Sequence, residues 1–258
     1  MRMRSAGVVQ AVWGLVLVLT LPRPALAQVK VIISGGFSAA YQQLLPELER
    51  ATGIAVVTTS GASRGDGPDT IAAQLGRGVM ADVVIMNRPA LDELIALGRV
   101  ATGSDRDVAS TLLGIAVRAG SSWPDVSSAE GFRQALLRAK VIAVADGNTR
   151  LAGEILPRLG IADRVTVKSG ARSTDAVAMV SRGDAGLAYL PVSEILHMPG
   201  VELGGTIPNE FQRPAVYAAA IVGGSVQQAA AQKLIDFLLS NSTAEAIKRS
   251  GMEPSPRR

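Results

Sequence analysis

The chain has 258 residues, a formal charge of +4, 3% aromatic residues and no cysteine. With so few aromatics it lacks stacking platforms for bases or sugars, and no clustered basic stripe argues for nucleic acid. Without cysteine there is no thiol nucleophile or thiolate metal ligand, and a chain this long can bury a core without disulfides.

The first 27 residues read as a leader. "MRMR" is a positive start, "AGVVQAVWGLVLVLTL" an apolar run, and Ala25-Leu26-Ala27 a small-x-small cleavage site. The run is short for a bilayer span, which needs about 20 residues. Cleavage after Ala27 is expected, giving a soluble, exported chain from Gln28, with the periplasm as its destination. Arg2, Arg4 and Arg23 lie in the leader and no acid does, so cleavage lowers the formal +4 by three to +1.

Elements then alternate. "VKVII" (29–33) is a buried strand. A helix is expected over 39–53, with Ser38 as its N-cap, Tyr41, Leu44, Leu45 and Leu48 on one face, and Gly53 as its stop. Pro46 predicts a kink or a restart, since a mid-helix proline costs about 3 kcal/mol. A strand over 54–60, a helix over 69–78 capped by Asp69 or Thr70, a strand over 81–86 and a helix over 89–100 follow. Next come a strand over 112–120, the helix "AEGFRQALLRA", the strand "KVIAVAD" and the helix "LAGEILPRLGI". "RVTVKSG", "STDAVAMVSRG" and "AGLAYLP" read as strand, helix and strand. A strand over 215–222 and an amphipathic helix over 225–240 complete the series. The alternation predicts an α/β fold with mostly parallel sheets flanked by helices. No Gly/Ser/Pro-rich linker separates two domains, so two lobes would have to be joined by strands crossing between them.

Ligands of such sheets sit at strand carboxyl ends beside helix N-termini, where free N–H groups and the helix dipole favour anions. Four strand ends here carry small polar residues: "SGGFS", "SGASRGDGPDT", "DGNTR" and "GARST". Three of these loops hold an arginine, Arg64, Arg150 and Arg172, suited to bidentate capture of a carboxylate or oxyanion. Gly35 and Gly36 are expected to let the backbone approach an anion at the start of the following helix. The alternative is that they only pack a tight strand–helix turn.

Catalytic patterns are sparse. His197 is the single histidine and cannot build a metal cluster alone. No G-x-S-x-G elbow, P-loop or dinucleotide fingerprint is present. Neither a metal nor a cofactor is expected.

"ATGIAVVTTSGAS", "TIAAQLGRGVMADVVIM", "AMVSRGDAGLAYL" and "AAAQKLIDFLLSNSTAEAIKRSGMEP" together resemble the periplasmic molybdate-binding protein family, within the type II solute-binding superfamily. The resemblance covers nearly the whole chain after the leader. It implies two α/β lobes, residues 28–114 with 215–258 and residues 115–214, closing by a hinge on an anion. It also implies an ABC importer as partner; a monomer is expected. The family's first binding loop carries a serine where this chain has Gly36, and Ser38 lies just beyond. Ser63 matches the second loop's serine, followed here by Arg64. The third loop is reduced to "DGNTR", the fourth brings Arg172 and Ser173, and Tyr189 matches the family's cleft tyrosine. The expected ligand-binding residues are therefore Gly36, Phe37, Ser38, Ser63, Arg64, Thr149, Arg150, Arg172, Ser173 and Tyr189. Family sites bind molybdate largely through neutral donors, so the expected ligand is a small anion, either a molybdate-type oxyanion or an organic polycarboxylate, and the added arginines would suit the latter.

A bacterial aconitate isomerase is similar to the same family, which sets a second reading beside capture for transport. Moving a proton between carbons that flank a carboxylate needs an anion clamp and one positioned base. Asp146, Asp175, Glu194, Tyr189 and His197 are the candidates, and the sequence does not select among them.

Overall fold

The computed structural model describes residues 28–145 and 149–256. The leader and Asp146 fall outside them. The chain opens with β1 (Gln28–Ile33), which passes through Ser34 into α1 (Gly35–Thr52). β2 (Ala55–Ser60), α2 (Ile71–Gly76), β3 (Val83–Asn87), α3 (Arg88–Ala96) and β4 (Arg106–Thr111) follow. β5 (Leu113–Arg118), α4 (Ala129–Ala139) and β6 (Val141–Ala145) begin the second half. A π-helical stretch, Leu151–Ile155, runs into α5 (Leu156–Arg158). β7 (Thr166–Gly170), α6 (Ser173–Arg182), β8 (Leu187–Pro191), α7 (Val192–Ile195) and β9 (Val201–Thr206) come next. β10 (Ala215–Ile221), α8 (Gln228–Leu238), α9 (Ala244–Arg249) and β11 (Glu253–Pro254) close the chain.

The strands form two sheets, in the orders β11-β4-β10-β3-β1-β2 and β7-β6-β8-β5-β9. Both are mixed rather than mostly parallel. β1 runs parallel to β2 and β3, while β10 lies antiparallel between β3 and β4. β6 runs parallel to β7 and β8, while β5 lies antiparallel between β8 and β9. β4 and β9 are the two longer strands that sequence patterning misses. "RDVAST" is mostly polar and "VELGGT" holds two glycines, so neither shows a clean apolar run. Leu112 alone separates β4 in the first sheet from β5 in the second, so the chain does cross between lobes on strands.

The inner strands of each sheet are buried on both faces, while the edge strands β2 and β7 are largely exposed. In β1, Val31 and Ile33 pack with α1, α8 and α9, while Ile32 packs on the opposite face with residues of α2 and α3. That period-two split makes "VKVII" a near-continuous apolar run. In β6, Ile142 and Val144 pack towards Phe132 and Leu136 of α4, and Ala143 packs towards Val177 and Val180 of α6.

α1 differs from its expected form in two ways. It starts at Gly35 with Ser34 as N-cap, so Ser38 lies inside it, its hydroxyl donating to the Gly35 carbonyl at 2.8 Å. It also runs without a restart through Pro46. One missing N–H is tolerated because Phe37, Ala40, Tyr41, Leu44 and Leu48 are all buried along the helix, and burying each large side chain contributes about 1.5–3 kcal/mol. The helix ends at Gly53, whose φ of 67° allows its N–H to bond the Glu49 carbonyl at 3.0 Å.

Candidate ligand cleft

A cleft of about 800 Å³ opens between the two sheets. Its walls are the strand ends and helix starts singled out by sequence. Ser38, Ser63, Arg64, Thr149, Arg150, Arg172 and Ser173 all line it. Gly36, Phe37 and Tyr189 do not. Phe37 is fully buried in the first lobe's core. Tyr189 is fully buried in the second lobe's core, and burial pushes its phenol up to about 12 against the opposing pull of Arg150. The phenol lies near that guanidinium, but its oxygen makes no hydrogen bond of good geometry.

Gly36 has a different reason to be glycine from the one expected. A Cβ there would overlap the ring and hydroxyl of Tyr217, which packs directly on the first turn of α1. At Gly35 a Cβ would stand 3.8 Å from the Glu194 carboxylate, an ordinary contact. The small residues of "SGGFS" thus admit a tyrosine from β10, far along the chain.

Tyr217, only 3% exposed, donates its hydroxyl to Glu194 Oε1 at 3.0 Å. Both residues line the cleft. Burial pushes the Glu194 carboxyl above the ordinary carboxylate range, and the Ser173 and Tyr217 hydroxyls only partly offset it. Burial and the neighbouring carboxylate raise the Tyr217 phenol well above 10. The Glu194 carboxyl lies beside the starts of two helices, α1 at Gly35 and α6 at Ser173. Ser34, also on the cleft wall, is 3% exposed and its hydroxyl has no partner. A buried polar atom without a partner costs about 1–3 kcal/mol, so Ser34 Oγ is a ready contact for a ligand.

Four arginines line the cleft, and each is paired with a carboxylate. Arg64 pairs with Glu93 at 3.2 Å. Arg150 bonds both oxygens of Glu154, at 3.0 and 3.2 Å, and the Phe211 carbonyl at 2.7 Å. Arg213 meets the same Glu154 at 3.3 Å. Arg172 reaches across the lobes to Asp69, Nε to Oδ2 at 2.6 Å. These pairs fix the guanidiniums in place, which lowers the entropy lost when they capture a ligand.

Of the candidate bases, Asp175 is an exposed residue whose carboxylate accepts the Arg172 N–H at 3.0 Å. His197 is exposed and off the cleft wall. Glu194 alone among the described candidates lines the cleft. Sequence reasoning missed Ser34, Arg213 and Tyr217. Ser34 carried a usable signal, a serine at a strand end before a helix. Replacing His197 with alanine is expected to leave ligand affinity within about twofold, well under the 1.4 kcal/mol of a tenfold change, as titration calorimetry would show.

Two α/β lobes with an arginine-bearing cleft between them define a protein that encloses a small solute. The fold is that of the type II periplasmic binding proteins. Residues 29–253 match the bacterial extracellular solute-binding protein family, and the chain belongs to that family. It is 34% identical to an aconitate isomerase of Pseudomonas sp. over 229 residues, 88% of this chain and 87% of that one. It is 24% identical to the molybdate-binding protein ModA of Escherichia coli K12 over 232 residues, 87% and 88% of the two chains. Among solved structures, the periplasmic molybdate-binding protein of Azotobacter vinelandii matches with a TM-score of 0.67 at 22% identity, covering 89% of this chain and all of that one. The agropinic acid complex of AgtB from A. tumefaciens matches with a TM-score of 0.64 at 17% identity, over 89% and 83%.

Proposed function

We propose that this protein is exported and captures a small organic polycarboxylate between its lobes. One observation carries the reading: Arg64, Arg150, Arg172 and Arg213 converge on a single cleft from both lobes. A guanidinium has five N–H donors, and the bonds made here use at most three on any of the four, so each keeps donors for a ligand carboxylate. A tetrahedral oxyanion needs no such spread of cations, whereas a ligand with two or three carboxylates uses them separately. Delivery to an ABC importer is the role that the family resemblance supports. A second reading, turnover of the bound acid, is supported by the likeness to aconitate isomerase and by the presence of Glu194. A carboxyl in an anion cleft opposes binding unless it has work to do.

A thermal-shift panel on the chain from Gln28 tests the capture. Molybdate, tungstate, sulfate, citrate, cis-aconitate and trans-aconitate form the panel. A bound ligand at 100 times its dissociation constant stabilises by about 2.7 kcal/mol. Stabilisation by the tricarboxylates is the expected result. Stabilisation by molybdate and tungstate alone would replace the polycarboxylate with an oxyanion.

A further inference from the structure

We infer that Glu194 is the general base of the cleft, positioned by Tyr217, and that it moves a proton between two carbons of the bound acid. The inference rests on the polycarboxylate capture proposed above. Glu194 is placed for the work. It faces the cleft from α7, and Tyr217 holds one carboxylate oxygen at 3.0 Å, fixing the group's orientation. Tyr217 can take that position because residue 36 has no Cβ, so the pair is built into the packing of α1 against β10. Desolvation pushes the carboxyl above the ordinary carboxylate range, which makes the carboxylate a stronger base than one in water.

The chemistry balances without a co-reactant. In an unsaturated polycarboxylate, the CH₂ next to the double bond is acidified by the carboxylates attached to the system. Glu194 takes one of its protons, and the C–H electron pair spreads through the double bond onto carboxylate oxygens as a dienolate. The double bond shifts by one carbon. The proton on Glu194 then returns to the far carbon, restoring the carboxylate and giving the isomeric acid. Negative charge grows on carboxylate oxygens during the step. The cleft offers those oxygens the arginines, the N-terminus of the 18-residue α1 and the unpartnered Ser34 hydroxyl.

The test follows cis- and trans-aconitate in D₂O by proton NMR, with calorimetry on the same samples. Wild-type protein is expected to bind both acids and interconvert them, with deuterium entering the methylene only as far as Glu194 trades its proton with solvent. Glu194→Gln should slow interconversion by 100-fold or more, the range of a lost general base, with saturable binding still measurable. Tyr217→Phe should lower kcat with KM within a few-fold, a split that a merely structural role would not give. Wild-type protein that binds the acids but neither interconverts them nor exchanges their protons would overturn the inference and leave the capture standing. Wild-type protein that binds neither would overturn the capture and this step with it. Wild-type interconversion rates in Glu194→Gln would remove Glu194 from the chemistry. If that variant does not fold, an unchanged kcat in Tyr217→Phe overturns the pairing.

Discussion

Replacing Gly36 with alanine is expected to destabilise the protein by about 1–3 kcal/mol and to abolish ligand binding. The added methyl would overlap the Tyr217 ring, and the ring has nowhere to go. Tyr217 is 3% exposed, its ring packs in the first lobe's core, and its hydroxyl is bonded to Glu194. Either α1 shifts or the tyrosine leaves its rotamer, and both displace Glu194 and the Ser34 end of α1. For a chain of this length each kcal/mol lowers the melting temperature by about 2–4 °C, so thermal melts would resolve the change. A double-mutant cycle gives the decisive measurement. Tyr217→Ala leaves a cavity costing about 3–5 kcal/mol, but the methyl at residue 36 then has room. The double variant should therefore cost less than the sum of the singles. Strict additivity would mean that the two residues do not share space. The same geometry predicts that a serine at residue 36 would not fit either.

Arg172→Ala is expected to weaken polycarboxylate binding at least tenfold, about 1.4 kcal/mol, with little change in melting temperature. The two effects separate because of where the side chain sits. Its ion pair with Asp69 joins the lobes, but both side chains are 39% exposed, and such pairs contribute about 0–1 kcal/mol. Its guanidinium also lines the cleft beside Ser173, where a ligand carboxylate would meet an oriented fork of donors. Calorimetry on Arg172→Ala, Arg172→Lys and Asp69→Ala would distinguish two roles. Ligand capture predicts that lysine recovers only part of the affinity and that Asp69→Ala retains most of it. An equal loss in Asp69→Ala and Arg172→Ala would show that the arginine acts by latching the lobes together.

The cleft's composition was legible because it follows from local rules. Small polar residues and arginines stand at the ends of apolar runs, and in an α/β fold those ends face the ligand. Seven of the residues read this way, from Ser38 to Ser173, do line the cleft. The limits of that reading are also physical. Ser38 looked like a helix cap because it precedes the clearest periodic stretch, yet the helix begins at Gly35 with Ser34 as its cap. Tyr189 matched a family position, yet its ring is buried in the second lobe's core. β4 and β9 were hidden because polar and glycine-rich strands owe their pairing to partners elsewhere in the sheet.

Residue order was enough to specify the alternating α/β class, the succession of strands and helices that fill most of each lobe, and the loops that carry the cationic residues. These depend on periodicity and on residue types within a few positions of one another. Tertiary structure alone decided the mixed pairing of the sheets, the pairing of Arg172 with Asp69 across the lobes, and the meeting of Gly36, Glu194 and Tyr217. Those three come from the first turn of α1, the short α7 and the middle of β10. A missing Cβ, a buried carboxyl and a phenol acquire their relationship only when packing brings the three elements together, and no local pattern encodes that approach.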